Sequence, residues 1–267
     1  MTSEVLSPPR VSLRALLPGP VSRIGFGLLL VALVVRMTGD VSWDVPELTA
    51  AGAAHLLLLP LVALTLWAAA PSSGGAGRPL PVVLTLVALG VGYLGDYHVT
   101  NRLFPRLWDV LLRDTDWDGL VYQALITGGV LLLALAVQIL AFRGWLGAGR
   151  PRLVADVGCW VIGAVAVAAV VAGVTRLDLG DYTAALAVGV VAWVAAVVLL
   201  TVVAWRADRL AGIGALLYIV SAVLLVVLVI LLGGDDFVAR AGTATYVVGQ
   251  SFLAAGVLRK LHRTTAG

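Results

Sequence analysis

The sequence is poor in charged residues, in lysine and in cysteine. Only 12% of its 267 residues are charged, whereas about a quarter of the residues of a soluble domain carry charge. The single cysteine, Cys159, excludes a disulfide bond within the chain. The single lysine, Lys260, lies beyond the last apolar segment. A retinal-type pigment is therefore excluded, because its chromophore needs a lysine amine buried within the bundle.

The sequence also lacks the short motifs that hold metals or phosphates. Its three histidines form no HxxxH or HExxH pair, and one cysteine cannot make a CxxC spacing. Neither a GxxxxGK[ST] phosphate loop nor a GxSxG nucleophile motif is present. We therefore expect no metal and no other cofactor. Nucleic-acid binding is not expected either, because the basic residues are better explained as membrane anchors.

Apolar residues, by contrast, make up 61% of the chain and give it a mean hydropathy of +1.03. One water-soluble core could not bury so much apolar surface, so the bilayer must act as the solvent. Every apolar segment except the first approaches the roughly 20 residues that cross the hydrocarbon. The sequence predicts an all-α, polytopic membrane bundle of eight transmembrane helices within residues 21–258. The eight segments lie at about 21–38, 47–70, 79–98, 119–142, 153–175, 182–205, 210–232 and 241–258.

Three regions outside these segments have distinct compositions. Residues 1–20 contain prolines and no apolar core of a signal peptide, so we expect a disordered cytoplasmic tail. Residues 101–118 combine arginines, aspartates and tryptophans with apolar residues on one helical face, which predicts an amphipathic segment in the membrane interface. Residues 259–267 are expected to form a basic cytoplasmic tail.

The distribution of charge predicts the orientation. With eight spans, the two tails and the loops after the second, fourth and sixth spans share one side of the membrane. That side holds 12 of the 18 Lys and Arg residues but only three of the 15 acids. Because an excess of Lys and Arg marks the cytoplasm, both termini are expected to be cytoplasmic, in the cell membrane.

The third segment contains the first candidate for a functional site. Its apolar run continues without a charge into Asp96 and then His98. A carboxylate in hydrocarbon costs a few kcal/mol, so such a residue tends to face a cavity or a partner. The competing interpretation is an interfacial aspartate that ends the helix in water.

Other polar residues are expected in the same outer half of the membrane. Glu47 opens the second span, and His55 follows eight residues later on nearly the same face, about 12 Å away along the axis. A His–carboxylate pair could perform general acid/base chemistry near neutral pH. We therefore take Asp96, His55 and Glu47 as candidate catalytic residues. Candidate substrate-binding residues in the same outer half are His98, Tyr122, Gln123, Tyr246 and Gln250.

The last third of the sequence resembles the YhhN family of eight-span membrane proteins, which includes lysoplasmalogenases. Residues 214–222, GALLYIVSA, are similar to the family pattern G-A-L-L-F-x-x-S-D. Residues 245–256, TYVVGQSFLAAG, are similar to T-Y-x-x-A-Q-x-L-I-A-x-G. Arg78-Pro79-Leu80 and Gly95-Asp96 resemble the family's K-P-L and G-D. The likeness is good over about 182–258 and departs from the family at Ala222, where the family has an aspartate.

The resemblance implies a hydrolase that cleaves the vinyl-ether bond of lysoplasmalogens with two membrane aspartates. It makes Asp96 one of these residues and adds Ser221 to the candidate binding residues, while Ala222 leaves the second acid to Asp235, Asp236, Glu47 or His55. Two alternatives stay open: a relative that binds a lipid without catalysis, and a membrane-embedded isoprenoid cyclase that uses one carboxylic acid. The expected partner is a membrane lipid or another apolar small molecule.

Overall fold

The computed structural model describes residues 16–39, 49–71, 77–99, 106, 117–178, 182–231 and 236–265, and of residues 225–231, 236, 237, 239 and 265 only the backbone. Within this part of the chain, all regular secondary structure is helical, so the prediction of an all-α protein is confirmed there. The helices are α1 (Pro20–Thr38), α2 (Ala50–Ala69), α3 (Leu80–His98), α4 (Trp117–Arg143), α5 (Arg150–Thr175), α6 (Tyr182–Ala207), α7 (Arg209–Leu231) and α8 (Asp236–Thr265).

The helices have the length and composition expected in a bilayer. Of the eight helices in the described ranges, seven are long and apolar enough to cross a membrane. The remaining one, α7, has 23 residues, but its apolar part is described only over Arg209–Leu224. Large apolar side chains cover the outside of the bundle, and Trp160 of α5 is 82% exposed. Such an exterior is compatible with a multi-pass membrane protein, in which lipid surrounds these side chains.

Local sequence signals explain several helix starts. Proline occupies the first turn of α1, α3 and α5, where its missing N–H leaves no hydrogen bond unmade. The hydroxyl of Thr49 caps α2 by accepting a hydrogen bond from the Gly52 amide at 3.0 Å. This cap determines where α2 begins and thereby puts His55 in its second turn.

Helix α8 connects the two halves of the bundle, because it packs against α1, α2 and α3 as well as α6 and α7. Its most extensive contact is with α7, where two glycines face each other. A Cβ atom on Gly214 would lie 2.6 Å from the Gly249 carbonyl oxygen, and a Cβ on Gly249 would lie 2.8 Å from that of Gly214. The two backbones are therefore in direct contact, which is how small residues pack helices in membranes.

Two ion pairs lie at the end of the bundle where the sequence places the cytoplasm. Asp208, in the turn between α6 and α7, is buried and accepts hydrogen bonds from Arg259 Nε at 2.8 and 3.0 Å. Its carboxylate also accepts the Leu210 amide at 2.8 Å and so caps α7. Arg143 of α4 donates to Asp156 of α5 at 2.9 Å. Arginines from neighbouring helices thus compensate two acids at the basic end.

Some expectations fall at or beyond the limits of the described residues. Helix α8 continues to Thr265, so the basic residues expected in a separate C-terminal tail lie on its last turns. Glu47 lies outside the described residues, as do 1–15 of the expected N-terminal tail. The expected amphipathic segment 101–118 is described only at 106, 117 and 118.

Candidate functional site

The structure brings His55 of α2 and Asp96 of α3 into direct contact. His55 Nε2 lies 3.1 Å from Asp96 Oδ2, which is a hydrogen-bonding distance. The imidazole is 5% exposed and the carboxylate 23% exposed. The imidazole of this pair is therefore buried within the bundle, and the carboxylate is partly accessible from outside it.

The two side chains meet because each lies on the inward face of its helix. On α2, Ala51 and His55 are four residues apart and both are buried. On α3, Ala88, Gly92 and Asp96 follow one another at four-residue spacing, which aligns them along one face. An ionisable group that faces hydrocarbon costs about 2.5–3.5 kcal/mol or more, which favours this inward orientation of Asp96.

A small cavity lies about one helical turn from Asp96. Its volume is about 10 Å³, close to the space that one water molecule needs. Gly92 helps to form it: a Cβ atom at Gly92 would lie 3.2 Å from the Tyr246 hydroxyl. Five helices contribute to the lining, which is apolar except for two tyrosines and two glutamines. The lining residues are Ala88, Gly92, Leu131, Ala134, Leu135, Gln138, Leu200, Tyr218, Tyr246 and Gln250.

Polar contacts connect the lining of the cavity. The rings of Tyr218 and Tyr246 meet edge to face with their centroids 5.5 Å apart. Trp193 hydrogen-bonds to the Tyr218 hydroxyl, and Gln250 hydrogen-bonds to the Tyr246 hydroxyl. Gly92, which lines the cavity, and Asp96 lie one turn apart on the same face of α3. The cavity and the His55–Asp96 pair therefore form one polar region inside an apolar bundle.

Two arginines lie at the same end of the bundle as His55. Arg36, on the last turn of α1, is buried. Arg240 of α8 donates to the Met37 carbonyl oxygen at 3.2 Å, which ties the start of α8 to the end of α1. Helix α8 runs from this contact to Arg259, which pairs with Asp208 at the other end of the bundle. The His55–Asp96 pair therefore lies at the end opposite the Asp208–Arg259 ion pair.

Several predicted site residues lie elsewhere. His98 Nδ1 contacts Thr127 Oγ1 of α4 at 2.6 Å. The hydroxyls of Tyr122 and Tyr182 are 3.2 Å apart, and their rings meet edge to face between α4 and α6. Thus His98 and Tyr122 belong to contacts around the start of α4, whereas Tyr246 and Gln250 line the cavity near Asp96.

The remaining predicted residues have less defined positions. Ser221 is buried on α7, three residues after Tyr218 and so on a neighbouring face. The Gln123 Oε1 atom is buried and makes no hydrogen bond to another described residue. Glu47, the third candidate catalytic residue, is outside the described residues.

Sequence reasoning left three polar residues out of the proposed site. Gln138 and Tyr218 line the cavity, and Trp193 hydrogen-bonds to Tyr218. Gln138 could have been recognised from the sequence as a candidate site residue, because it is an amide within a long apolar run. Tyr218 and Trp193 could not, since both side chains pack equally well in an apolar bundle.

The donor set of this region contains two ionisable groups that contact each other, His55 and Asp96. No group of three or more His, Cys, Asp or Glu side chains comes together among the residues that the structure describes. The arrangement can therefore move a proton between an imidazole and a carboxylate near a cavity that is about the size of one water molecule.

Comparison of the chain with protein-family models, with curated proteins and with solved structures gave no match in any of the three cases.

Proposed function

We propose that this protein is a membrane hydrolase that cleaves the vinyl ether of a lysolipid with the His55–Asp96 pair as its acid and base. The observation that carries the proposal is the 3.1 Å contact between His55 Nε2 and Asp96 Oδ2 beside a polar cavity. The similarity of residues 214–222 and 245–256 to the YhhN family supports the choice of substrate. Tyr218, Tyr246 and Gln250, which line the cavity, lie within those two stretches.

The pair can supply both proton transfers of the reaction. The imidazole and the carboxylate share one hydrogen bond, so either group can carry the proton that lies between them. Asp96 donates this proton to the β-carbon of the enol ether, and water then adds to the resulting oxocarbenium carbon. The pair accepts the proton that the added water releases. Breaking of the C–O bond in the hemiacetal gives a fatty aldehyde and the free glycerol hydroxyl, with one water consumed.

This assignment accounts for Ala222 at the position of the second family aspartate. In the resemblance, two aspartates share the acid and base roles, and Ala222 cannot perform either. A histidine in contact with Asp96 supplies the missing proton acceptor from another helix, α2. The partial exposure of Asp96 allows the double bond to reach the carboxylate while the lipid chain stays in the bilayer.

An isoprenoid cyclase fits the same residues less well. A cyclase must enclose its polyene, and cavities for ligands of that size are typically about 300–1,000 Å³. The cavity next to Asp96 in the described part of the bundle measures about 10 Å³. The hydrolysis needs this cavity only for its one water, because the vinyl ether reaches the partly exposed Asp96 carboxylate from the lipid.

The proposal includes eight membrane spans in the cell membrane, with both termini in the cytoplasm. A helix of 23 residues, such as α7, is about 34 Å long at 1.5 Å per residue, enough to cross a hydrocarbon core of about 30 Å. Residues 225–231 are valine, leucine and isoleucine only, which supports α7 as the eighth span. The ion pairs of Asp208 and Asp156 at the basic end support the assignment of that end to the cytoplasm.

The test is aldehyde release from a 1-alkenyl lysophosphatidylethanolamine by the purified protein in nanodiscs. Asp96→Asn and His55→Gln should each lower kcat by about 10²–10⁴-fold, the usual contribution of general acid–base catalysis. Asp118→Asn and His262→Gln are matched controls, because they remove a carboxylate and an imidazole at exposed or terminal positions away from the pair. Both controls should retain the wild-type rate.

Two outcomes would contradict the proposal. If the wild-type protein releases no aldehyde but retains the lysolipid through purification, the protein binds the lipid without catalysis. If Asp96→Asn keeps the wild-type rate, the reaction takes place at another site.

A further inference from the structure

The cavity near Asp96 contains a buried amide that its neighbours do not satisfy. Gln138 of α4 is 3% exposed and lines the cavity. Its Nε2 atom is buried and makes no hydrogen bond to any other residue in the described ranges. An unsatisfied buried donor costs about 1–3 kcal/mol, and the large majority of buried polar side chains have a partner. The cavity that Gln138 lines offers a space in which a partner of this amide can lie.

We infer that the cavity is a binding site for one water molecule, held by Gln138. A buried water needs about 10–15 Å³ and two to four polar partners. The cavity offers about 10 Å³, and Gln138, Tyr218, Tyr246 and Gln250 line it. Both requirements are met, whereas a larger polar ligand would not fit between the lining helices.

The distance between this water and Asp96 suits a reaction in which both act on the same double bond. Gly92, which lines the cavity, precedes Asp96 by four residues, which is about 6 Å along the α3 axis. In an enol ether, the carbon that is protonated and the carbon that water attacks are bonded to each other. A double bond lying between the carboxylate and the cavity would therefore present one carbon to each.

On the proposed function, this is the water that the hydrolysis consumes. Asp96 gives its proton to the β-carbon, and the oxygen of the held water forms a bond to the α-carbon. The proton released by that oxygen passes to the Tyr246 hydroxyl, which gives its own proton to the His55–Asp96 pair. Tyr246 is suited to this transfer because it lines the cavity and its hydroxyl lies 3.2 Å from the Cβ position of Gly92, one helical turn before Asp96. Gln138 then acts as a positioning residue for the water.

A structure at a resolution of about 2 Å, of the full-length protein in lipid, tests the binding site without any assay of activity. We expect one water peak at about 2.7–3.2 Å from the Gln138 amide and from a tyrosine hydroxyl. Gln138→Met, of similar length but without the amide, should lose the peak. Ala134→Val, which fills the cavity and keeps every polar group, should lose it as well. If other buried waters are visible and this cavity has none in the wild-type protein, the inference is wrong.

Kinetics test the use of the water. Gln138→Met should lower kcat by roughly 10²-fold, as misplacement of a reacting group does, with KM little changed. Thr85→Val is the matched control, since it removes a buried hydroxyl that donates a hydrogen bond within its own helix, to the Pro81 carbonyl oxygen at 2.8 Å. Equal kcat in wild type and Gln138→Met would overturn the catalytic use of the water. A water peak in a protein inert on vinyl ethers would contradict the hydrolase proposal and keep the binding site.

Discussion

Asp96 and His98 are two residues apart, yet their side chains contact different helices. Each residue of an α-helix turns by about 100°, so positions 96 and 98 differ by about 200° and face nearly opposite directions. Asp96 accordingly contacts His55 of α2, and His98 contacts Thr127 of α4. The sequence analysis placed both residues in one site because they lie at a similar depth in the membrane. Helical periodicity separates them, because it turns their side chains toward different helices.

The contact between His55 and Asp96 should be measurable as a coupling energy. Residues in direct contact show interaction energies of about 0.5–3 kcal/mol in double-mutant cycles. We expect His55→Gln and Asp96→Asn to destabilise the protein less in combination than the sum of the two single effects. Unfolding in detergent, followed by circular dichroism, gives the four free energies. Strict additivity would mean that the pair does not form in the folded protein.

Gly92 should be sensitive to the smallest enlargement. A methyl group there would lie 3.2 Å from the Tyr246 hydroxyl, so Gly92→Ala should displace this hydroxyl by a few tenths of an ångström. We expect roughly a tenfold loss in kcat from this misalignment. Gly90→Ala is the matched control on the same helix, because a Cβ at Gly90 has no neighbour within 4 Å.

The Gly92 prediction fails if Gly92→Ala and Gly90→Ala behave alike. Equal rates would show that the position of the Tyr246 hydroxyl has no influence on the reaction, although it lies next to α3.

At the scale of helices, the sequence predicts where each helix lies along the chain, but it does not predict which helices pack against each other. Apolar runs bounded by charge or glycine predicted seven of the eight helices to within three residues, since each run must satisfy its backbone internally in lipid. Helix α8 begins five residues before its predicted segment and ends seven residues after it. Runs of valine, leucine and alanine contain little information on which helix packs against which. The position of α8 between α1–α3 and α6–α7 depends on the shapes of all of them, and no single segment encodes it.

The α7–α8 contact allows a prediction about stability. Gly214→Ala would bring a Cβ atom to 2.6 Å from the Gly249 carbonyl oxygen, and overpacking of this kind costs about 1–3 kcal/mol. Gly163→Ala on α5, with nothing within 4 Å of its Cβ position, should be neutral or stabilising because alanine favours helix more than glycine. Thermal unfolding in detergent should therefore show a lower Tm for Gly214→Ala alone. An unchanged Tm would mean that the backbones of α7 and α8 are further apart.

For the whole molecule, the number of spans decides the orientation of the two ends. With eight spans both termini lie on one side, and with seven they lie on opposite sides. We expect reporter fusions at the N-terminus and at the C-terminus to be cytoplasmic in the same cells. In a Cys159→Ala background, the thiol introduced by Asp118→Cys should react with a membrane-impermeant reagent from outside. Reporters on opposite sides would contradict the assignment of α7 as a span.

The composition predicted the membrane environment of the whole molecule, and the charge bias predicted an orientation. Whether Asp96 faces solvent or another helix was beyond the sequence, because that depends on whether α2 presents His55 at the same depth. The 3.1 Å contact resolves this question in favour of the inward orientation. The cavity could not be predicted from the sequence either, since its lining comes from five helices spread over residues 88–250.

The place of α8 in the bundle has a consequence for biogenesis. His55 and Asp96 lie on helices that enter the membrane early in translation, whereas Tyr246 and Gln250 arrive with α8, after the seven preceding helices. A nascent chain that stops before residue 236 therefore carries the paired histidine and aspartate but lacks one wall of the cavity. Until the ribosome has made α8, the polar interior lacks the wall that Tyr246 and Gln250 form, so on the proposed function hydrolysis requires the complete bundle.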